Sequence, residues 1–244
     1  MIPLIKFNNV SIQRGKNTLF SNLNFTVTSG HITVILGANG AGKSSLLLAM
    51  AGLIPVLGDI DLMGKPLQLY HPYDRTQLIA WQGELPPTEF GLTVEQRLCL
   101  VNDCPKRINH VASDMDITIL LSRALAQLSS GELQRVELAA LILRDAPIWL
   151  LDEPTSHLDL KHQIHFVHTL KKHSTKGRDI ILILHDLQQA KVLADFLILI
   201  DTQGDVHYGK CEDLFNRQTL TQTFDASLVD QESALMPDYG VTIS

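Results

Sequence analysis

Ile32-Thr33-Val34-Ile35-Leu36 runs directly into Gly37-Ala38-Asn39-Gly40-Ala41-Gly42-Lys43-Ser44, and Ser45-Leu-Leu-Leu-Ala-Met-Ala51 follows before Gly52. The first run is a short apolar strand pattern. The second has the spacing G-x-x-x-x-G-K-[ST], and the third consists of good helix formers stopped by glycine. A phosphate-binding loop needs these three pieces in this order. The glycines let the backbone curl so that successive N–H groups face phosphate oxygens. Lys43 sets an ammonium against the outer phosphates, Ser44 offers Mg²⁺ a hydroxyl, and the positive end of the helix dipole faces the same point. Residues 37–45 therefore predict a nucleoside triphosphate with Mg²⁺ as ligand, without saying what the triphosphate drives.

The bulk composition narrows the classes. A chain of 244 residues, 45% apolar and 19% charged, is long enough for one large domain with its own core. A net charge of -6 and a pI near 5.9 provide no overall basic surface, so nucleic acid is not expected as a partner. Cys99, Cys104 and Cys211 are odd in number and lack C-x-x-C spacing, which fits a reducing compartment and neither a disulfide framework nor a zinc site. Met1-Ile-Pro-Leu-Ile-Lys6 lacks the pattern of a signal peptide. The apolar runs Ile180–Leu184 and Phe196–Ile200 are far shorter than the about 20 residues that cross a bilayer, and read as buried strands. A membrane role is therefore expected to be peripheral, through a partner that supplies the spanning helices.

Outward from the loop, residues 4–28 alternate around Arg14-Gly15-Lys16-Asn17 and predict an antiparallel hairpin or small sheet. Short strands are expected at Gly58–Leu62 and Gln77–Trp81, with a turn at Gly64-Lys-Pro66. Residues 83–145 change character: Thr93–Val101, Ile108–Leu121 and Gly131–Arg144 read as helical, with no good strand between them. Strand patterns at 148–152, 180–184 and 196–200 then alternate with helical ones at about 159–173 and 186–194, the βαβ rhythm of a covered parallel sheet. The expected fold is α/β: one domain over 1–244, whose parallel-sheet core (1–82 and 146–244) carries an N-terminal antiparallel β subdomain and an inserted helical lobe (83–145). Residues 205–244 carry few signals.

Ile148-Trp-Leu-Leu151 ends in Asp152-Glu153-Pro154, the Walker B pattern. Successive side chains of a strand diverge, so one carboxylate faces the Mg²⁺ shell while the other reaches the space beyond the γ-phosphate. Asp152 is the metal-side candidate and Glu153 the general base. The strand ending at Leu184 delivers His185 to the sheet edge where parallel α/β folds gather ligands, in reach of the γ-phosphate or the attacking water. His162, His165, His168 and His173 suggest a metal site at first sight. With no carboxylate or cysteine to complete a ligand set, they read as a solvated helix face.

Leu128-Ser129-Ser130-Gly131-Glu132-Leu-Gln-Arg135 resembles the signature of the ATP-binding cassette (ABC) ATPases, and a helix pattern follows it. The resemblance covers about residues 4–225, because the motifs of that family occur in order: the phosphate loop, Gln82, the signature, Asp152-Glu153, Ser156-His-Leu-Asp159 and His185. It implies a P-loop (RecA-like) core that binds ATP. It also implies that Gln82 joins Ser44 and Asp152 in the Mg²⁺ shell and senses the helical lobe, that Glu153 polarises water, that Ser156 and Asp159 of the D-loop communicate between subunits, and that His185 is the switch histidine. The signature Leu128–Glu132 is then expected to bind the γ-phosphate of ATP held by a second copy, in a head-to-tail homodimer. Two positions depart from the family pattern. Ser130 stands where a glycine is usual, and a side chain there slows closure if the position demands unusual backbone angles. Arg14 stands near where relatives place an aromatic on adenine, and a guanidinium also stacks on a base.

Lys43 and Leu128 are too close in sequence for the long coiled coil of a DNA-repair ATPase, and one cassette is too few for a ribosome-acting factor. A transporter subunit follows. Met50-Ala-Gly-Leu53, Gly64-Lys-Pro-Leu67 and Tyr208–Phe215 resemble ATPases of bacterial importers of cobalamin, ferric siderophores and haem. The signature, Arg14 and Pro86-Pro87 lean towards cobalamin. The resemblance implies integral-membrane permease subunits, a periplasmic substrate-binding protein, and a place on the cytoplasmic face of the inner membrane. The alternatives are a haem-export ATPase of cytochrome c maturation, suggested by Thr18–Val27, or a soluble non-transport ABC ATPase.

Overall fold

In the computed structural model, residues 2–15, 17–86, 88 and 91–225 are described. Lys16 of the expected hairpin turn, Pro87 and the tail from 226 onward lie outside them. The chain enters as two long strands, β1 (Pro3–Arg14) and β2 (Asn17–Thr28), and then β3 (Ile32–Gly37) runs into the phosphate loop and α1 (Lys43–Met50). Next come β4 (Leu57–Leu62), β5 (Lys65–Pro66), α2 (Pro72–Leu78) and β6 (Ile79–Gln82). A stretch without named strands carries α3 (Val94–Cys99), α4 (Pro105–Asp114) and α5 (Ser130–Arg144). It is followed by β7 (Ile148–Asp152), α6 (Leu160–Ser174), β8 (Asp179–Ile183), α7 (Leu187–Leu193), β9 (Phe196–Ile200), β10 (Val206–Lys210), α8 (Cys211–Leu214) and α9 (Arg217–Phe224).

The strands form two sheets: a four-stranded one in the order β2-β1-β4-β5, antiparallel throughout, and a six-stranded one in the order β10-β9-β3-β8-β7-β6. The six-stranded sheet is parallel except for the antiparallel edge strand β10. Its inner strands β3, β8 and β9 are buried along their whole length, as continuous apolar runs must be when both faces are covered.

Alternation distributes those runs between two cores. Ile35, Leu150, Ile183 and Ile198 point to the side holding Leu46, Leu47 and Met50 of α1 and the antiparallel sheet. Val34, Leu151, Leu182 and Leu197 point to the side holding Leu138, Phe166, Val167 and Ala190 of α5, α6 and α7. The sheet is thus covered by a separate core on each face, and the strand that leads into the phosphate loop is packed from both sides.

The helical stretch joins the second core through amphipathic faces. Ile108, Val111 and Ala112 of α4 and Met115 at its C-cap, spaced i, i+3, i+4, i+7, are all buried. Burying a side chain such as Ile108 contributes about 2 kcal/mol. Helix α3 is fixed to α5 by a bidentate ion pair, in which the Arg97 Nε and Nη2 groups donate to the Glu137 carboxylate at 2.9 and 2.6 Å.

Three expectations shift. The strand expected from Gln77 begins at Ile79, because Pro72 at the start of α2 and His71 at its N-cap set a helix over the preceding residues. The helical pattern expected to Leu121 ends at Asp114, beyond which Asp116 takes a left-handed φ of 54°. The region from 205 to 225, thought to carry few signals, holds β10, α8 and α9.

Candidate nucleotide site

Strand β3 delivers the loop, and Gly42 is where it must turn. Its φ is 92°, and a Cβ there would lie 2.8 Å from the Phe20 ring of β2, so only glycine fits. Gly42 is also the N-cap of α1. It offers no side-chain cap, so the N–H groups of the first helical turn remain for an anion. Lys43 is almost fully buried, and its Nζ donates to the carbonyls of Gly37 and Ala38 at 2.9 and 3.0 Å. Burial pulls its pKa down, while the charges of Glu153 and Asp152 act in the opposite direction. The loop thus preorganises an ammonium beside the carbonyls that open it.

At the end of β7 the chain breaks from the strand conformation: Glu153 has a φ of 48°. That turn separates the two carboxylates. Burial raises the pKa of Asp152, a cost that the Ser44 hydroxyl beside it partly offsets. Glu153 faces the other way and pairs with His185, whose Nε2 is 2.6 Å from Oε1. His185 follows β8, one strand away in the sheet.

The Asp152 Oδ1 and the Gln82 Oε1 are buried without a hydrogen-bond partner among the described residues. Unpaired buried oxygens are costly. Two carbonyl-type oxygens and the Ser44 hydroxyl are the hard donor set that Mg²⁺ takes, so the residues present fit that ion.

Two clefts open on the loop. One, of about 190 Å³, is lined by Ser44, Gly83, Glu84, Asp152, Glu153, Ser156 and His157 among others. The second, of about 210 Å³, is lined by Arg14, Leu19, Asn39, Gly40, Lys43, Ser45 and Glu153 among others. Arg14 is therefore at the edge of the phosphate site, next to Leu19. Ala41 packs against the core of the antiparallel side. Glu84, Gln134 and His157 were not foreseen. Glu84 adds a third negative charge near Asp152, and the Gln134 Nε2 donates 2.7 Å to the Pro154 carbonyl, holding the turn after Glu153. Their adjacency to Gln82, the signature and Ser156 was the available signal.

The signature residues sit apart. Ser129 is the N-cap of α5 and forms a capping box: its backbone N–H and hydroxyl donate to the Glu132 carboxylate at 2.8 and 3.0 Å, and its Oγ accepts the Glu132 N–H. These bonds, led by the Ser129 backbone N–H, pull the Glu132 pKa down. Ser130 is the first residue of α5 with no left-handed backbone, so the concern over unusual angles does not hold in this conformation. Gly131 is the constrained position, because a Cβ there would lie 2.8 Å from the His157 carbonyl of the D-loop. Residues 128–132 line neither of the clefts beside the phosphate loop.

The histidines of α6 take separate places. The expectation of one solvated face holds for His165 and His168 only: His162 contacts Asp159 and Arg135, and His173 packs at a tilt against Trp149 with its pKa lowered to about 4 by burial and by the nearby Arg178 charge.

A phosphate loop between a buried strand and a helix, with an Asp-Glu pair at the end of β7, a parallel strand of the same sheet separated from β3 by β8, defines a nucleoside triphosphatase of the P-loop class. Within that class, the model of the ABC transporter family matches residues 20–156. Hemin import ATP-binding protein HmuV of Shewanella denitrificans is 34% identical over 96% of this chain and 99% of its own. Vitamin B12 import ATP-binding protein BtuD of Yersinia enterocolitica is 32% identical over 91% and 92%. An ATP-binding subunit of an ABC transporter superposes with a TM-score of 0.77 at 25% identity, over 92% of this chain and 95% of that one. The chain belongs to the ABC transporter family as an ATP-binding, ATP-hydrolysing subunit, and the family uses ATP with Mg²⁺.

Proposed function

We propose that this chain powers import of a haem- or cobalamin-type metal chelate, siderophores included, through a separate integral-membrane permease fed by a periplasmic binding protein. It rests on one observation: the likeness to hemin and vitamin B12 import ATP-binding proteins runs along nearly the whole length of both partners. Those relatives are import proteins, which favours import over the export alternative. Among the described residues no helix is long and apolar enough to cross a membrane, so the spanning part is assigned to the permease, with this subunit peripheral on the cytoplasmic face. A largely apolar groove of about 290 Å³, lined by Leu53, Pro72, Ile79 and Trp81 with Arg75 and Arg144 at its rim, supports a docking place for that partner.

In the working cycle, two copies close head to tail on two ATP molecules. Gly37–Ser45 and Lys43 hold each triphosphate, and Arg14 with Leu19 supports the base. Ser44, Gln82 and Asp152 would hold Mg²⁺, which would supply neutralisation of the charge that develops on phosphoryl transfer. Glu153 accepts a proton from the attacking water, and His185, already bonded to Glu153, orients the pair towards the γ-phosphate. The signature Leu128–Glu132 of the second copy completes the site with backbone N–H groups and the Ser129 hydroxyl. Moving such a switch from 1:99 to 99:1 takes about 5.5 kcal/mol of preference for the closed form. Loss of the γ-phosphates removes that preference.

The test is reconstitution in vesicles with the permease encoded beside this chain and its binding protein. Haem- or cobalamin-loaded binding protein should stimulate ATP hydrolysis and carry the chelate inward. Hydrolysis indifferent to both loaded forms and to ferric siderophores would contradict the import reading.

A further inference from the structure

We infer that His162 is a positioning residue that couples the D-loop carboxylate of Asp159 to the signature helix α5 through Arg135. The inference rests on the proposed homodimer, in which both elements face the second copy. His162 lies in the first turn of α6 with a largely buried side chain. Its Nδ1 is 2.7 Å from the Asp159 Oδ1, which also accepts the His162 backbone N–H at 2.9 Å. On the far side of the ring, Nε2 is 2.7 Å from the Arg135 Nη1.

The partners fix the tautomer. A guanidinium only donates, so Nε2 accepts from Arg135, and the ring proton resides on Nδ1 and is donated to Asp159. The same Arg135 Nη1 donates to the Asp116 carbonyl at 3.1 Å and lies 3.5 Å from the Asp116 carboxylate. Asp116 follows α4 in the helical stretch, and Lys161 Nζ is also 3.5 Å from its carboxylate. An unbroken path therefore runs from the end of α4 through Arg135 on the signature helix to His162 and Asp159.

A second contact holds the same two elements together: the close approach of Gly131 to the His157 carbonyl. A displacement of α5 on engaging a γ-phosphate is in this way handed to the D-loop, which reaches across to the other nucleotide. Asp159 is held as the N-cap of α6 and His162 aims it, so neither ring nitrogen touches the reacting atoms. His162 acts on turnover by linking Asp159 to Arg135.

Two substitutions separate the links. Asparagine places its amide near Nδ1, so His162→Asn keeps a donor for Asp159 but loses the acceptor for Arg135. Glutamine places its amide near Nε2, so His162→Gln keeps the Arg135 link and loses Asp159. Coupling predicts that each lowers kcat roughly tenfold at saturating Mg-ATP while KM stays within about twofold, as expected when a positioning interaction is lost without loss of ground-state binding. Arg135→Met approaches from the other side, and combining it with His162→Asn should cost no more than either change alone, the non-additivity of one shared path.

Parent-like kcat in either histidine variant overturns the coupling, as do fully additive losses, or losses that follow the melting temperature. Sedimentation of the Glu153→Gln chain with Mg-ATP separates this from the underlying reading. An ATP-dependent dimer together with parent-like turnover in His162→Asn refutes the coupling alone. A chain that stays monomeric refutes the homodimer and the coupling with it.

Discussion

The N-terminus of α1 and the N-terminus of α5 are both phosphate-binding candidates, and they are built in opposite ways. At α1 the cap is Gly42, which gives no side-chain cap, and nearby oxygens of Gln82 and Asp152 are buried without a partner among the described residues. At α5 the cap is Ser129, the capping box is closed, and Glu132 is already satisfied. One end stores unmet bonding capacity inside the chain, and the other is stable by itself at the surface. On the proposed reading, the first holds the triphosphate within its own chain and the second supplies the missing half of the site in another copy.

The largest effect that would break this contrast is at the loop. Lys43→Ala should lower ATP affinity about 100-fold, the loss of two or more charge-assisted bonds, measured by calorimetry. Undiminished affinity would remove the loop from the account.

The contrast within α5 comes next. Gly131→Ala forces a methyl against the His157 carbonyl and should cut turnover roughly tenfold with ATP binding to the monomer unchanged. Ser130→Gly should leave turnover within about twofold, since the backbone there is already ordinary helix. Steady-state hydrolysis of both variants decides this, and the reverse order would mean that the constrained position has been misassigned.

How far the sequence reached follows the same physics. The phosphate loop, Asp152-Glu153 and the strand before His185 were legible because each couples a short-range residue pattern to a strand end or helix start, and the structure brings them together. The helix over Gly131–Arg144 was legible from its pattern, whereas the Ser129–Glu132 capping box that starts it came from the structure. Gly131 against His157, Gln134 on the Pro154 carbonyl and the Arg135–His162–Asp159 path were not legible, because each joins α5 to the segment after β7 through tertiary contact. Helix α2 was missed since Gln77-Leu-Ile-Ala-Trp81 reads as apolar strand, and the helix-start signal in His71-Pro72 outweighed that reading for its first residues.

The smallest effects concern stability and carry opposite signs at Asp152, beside the phosphate loop, and at Glu132, in the first turn of α5. The Asp152 carboxyl titrates above its ordinary range, so ionising it costs stability as pH rises through the unfolded value and then the higher folded one. Asp152→Asn should therefore raise the melting point of the Mg²⁺-free protein at pH 7, by about 1 kcal/mol of stability, and remove its stabilisation by Mg-ATP. Glu132 titrates below its ordinary range, so its contribution is present above the unfolded value and lost as pH falls through the folded one. Glu132→Gln should lower the melting point slightly at pH 7 and leave it unchanged once the carboxyl is protonated in both states, because the amide keeps the capping box and loses only the negative charge at the helix N-terminus. Melting curves across pH would show both signs, and equal signs would erase the contrast.

The central claim, that one chain carries half of each nucleotide site, is tested most directly by the mass of the Glu153→Gln chain in light scattering with saturating Mg-ATP. The account predicts a doubling of mass that requires ATP and is abolished by adding Lys43→Ala. A monomer at every ATP concentration would contradict it.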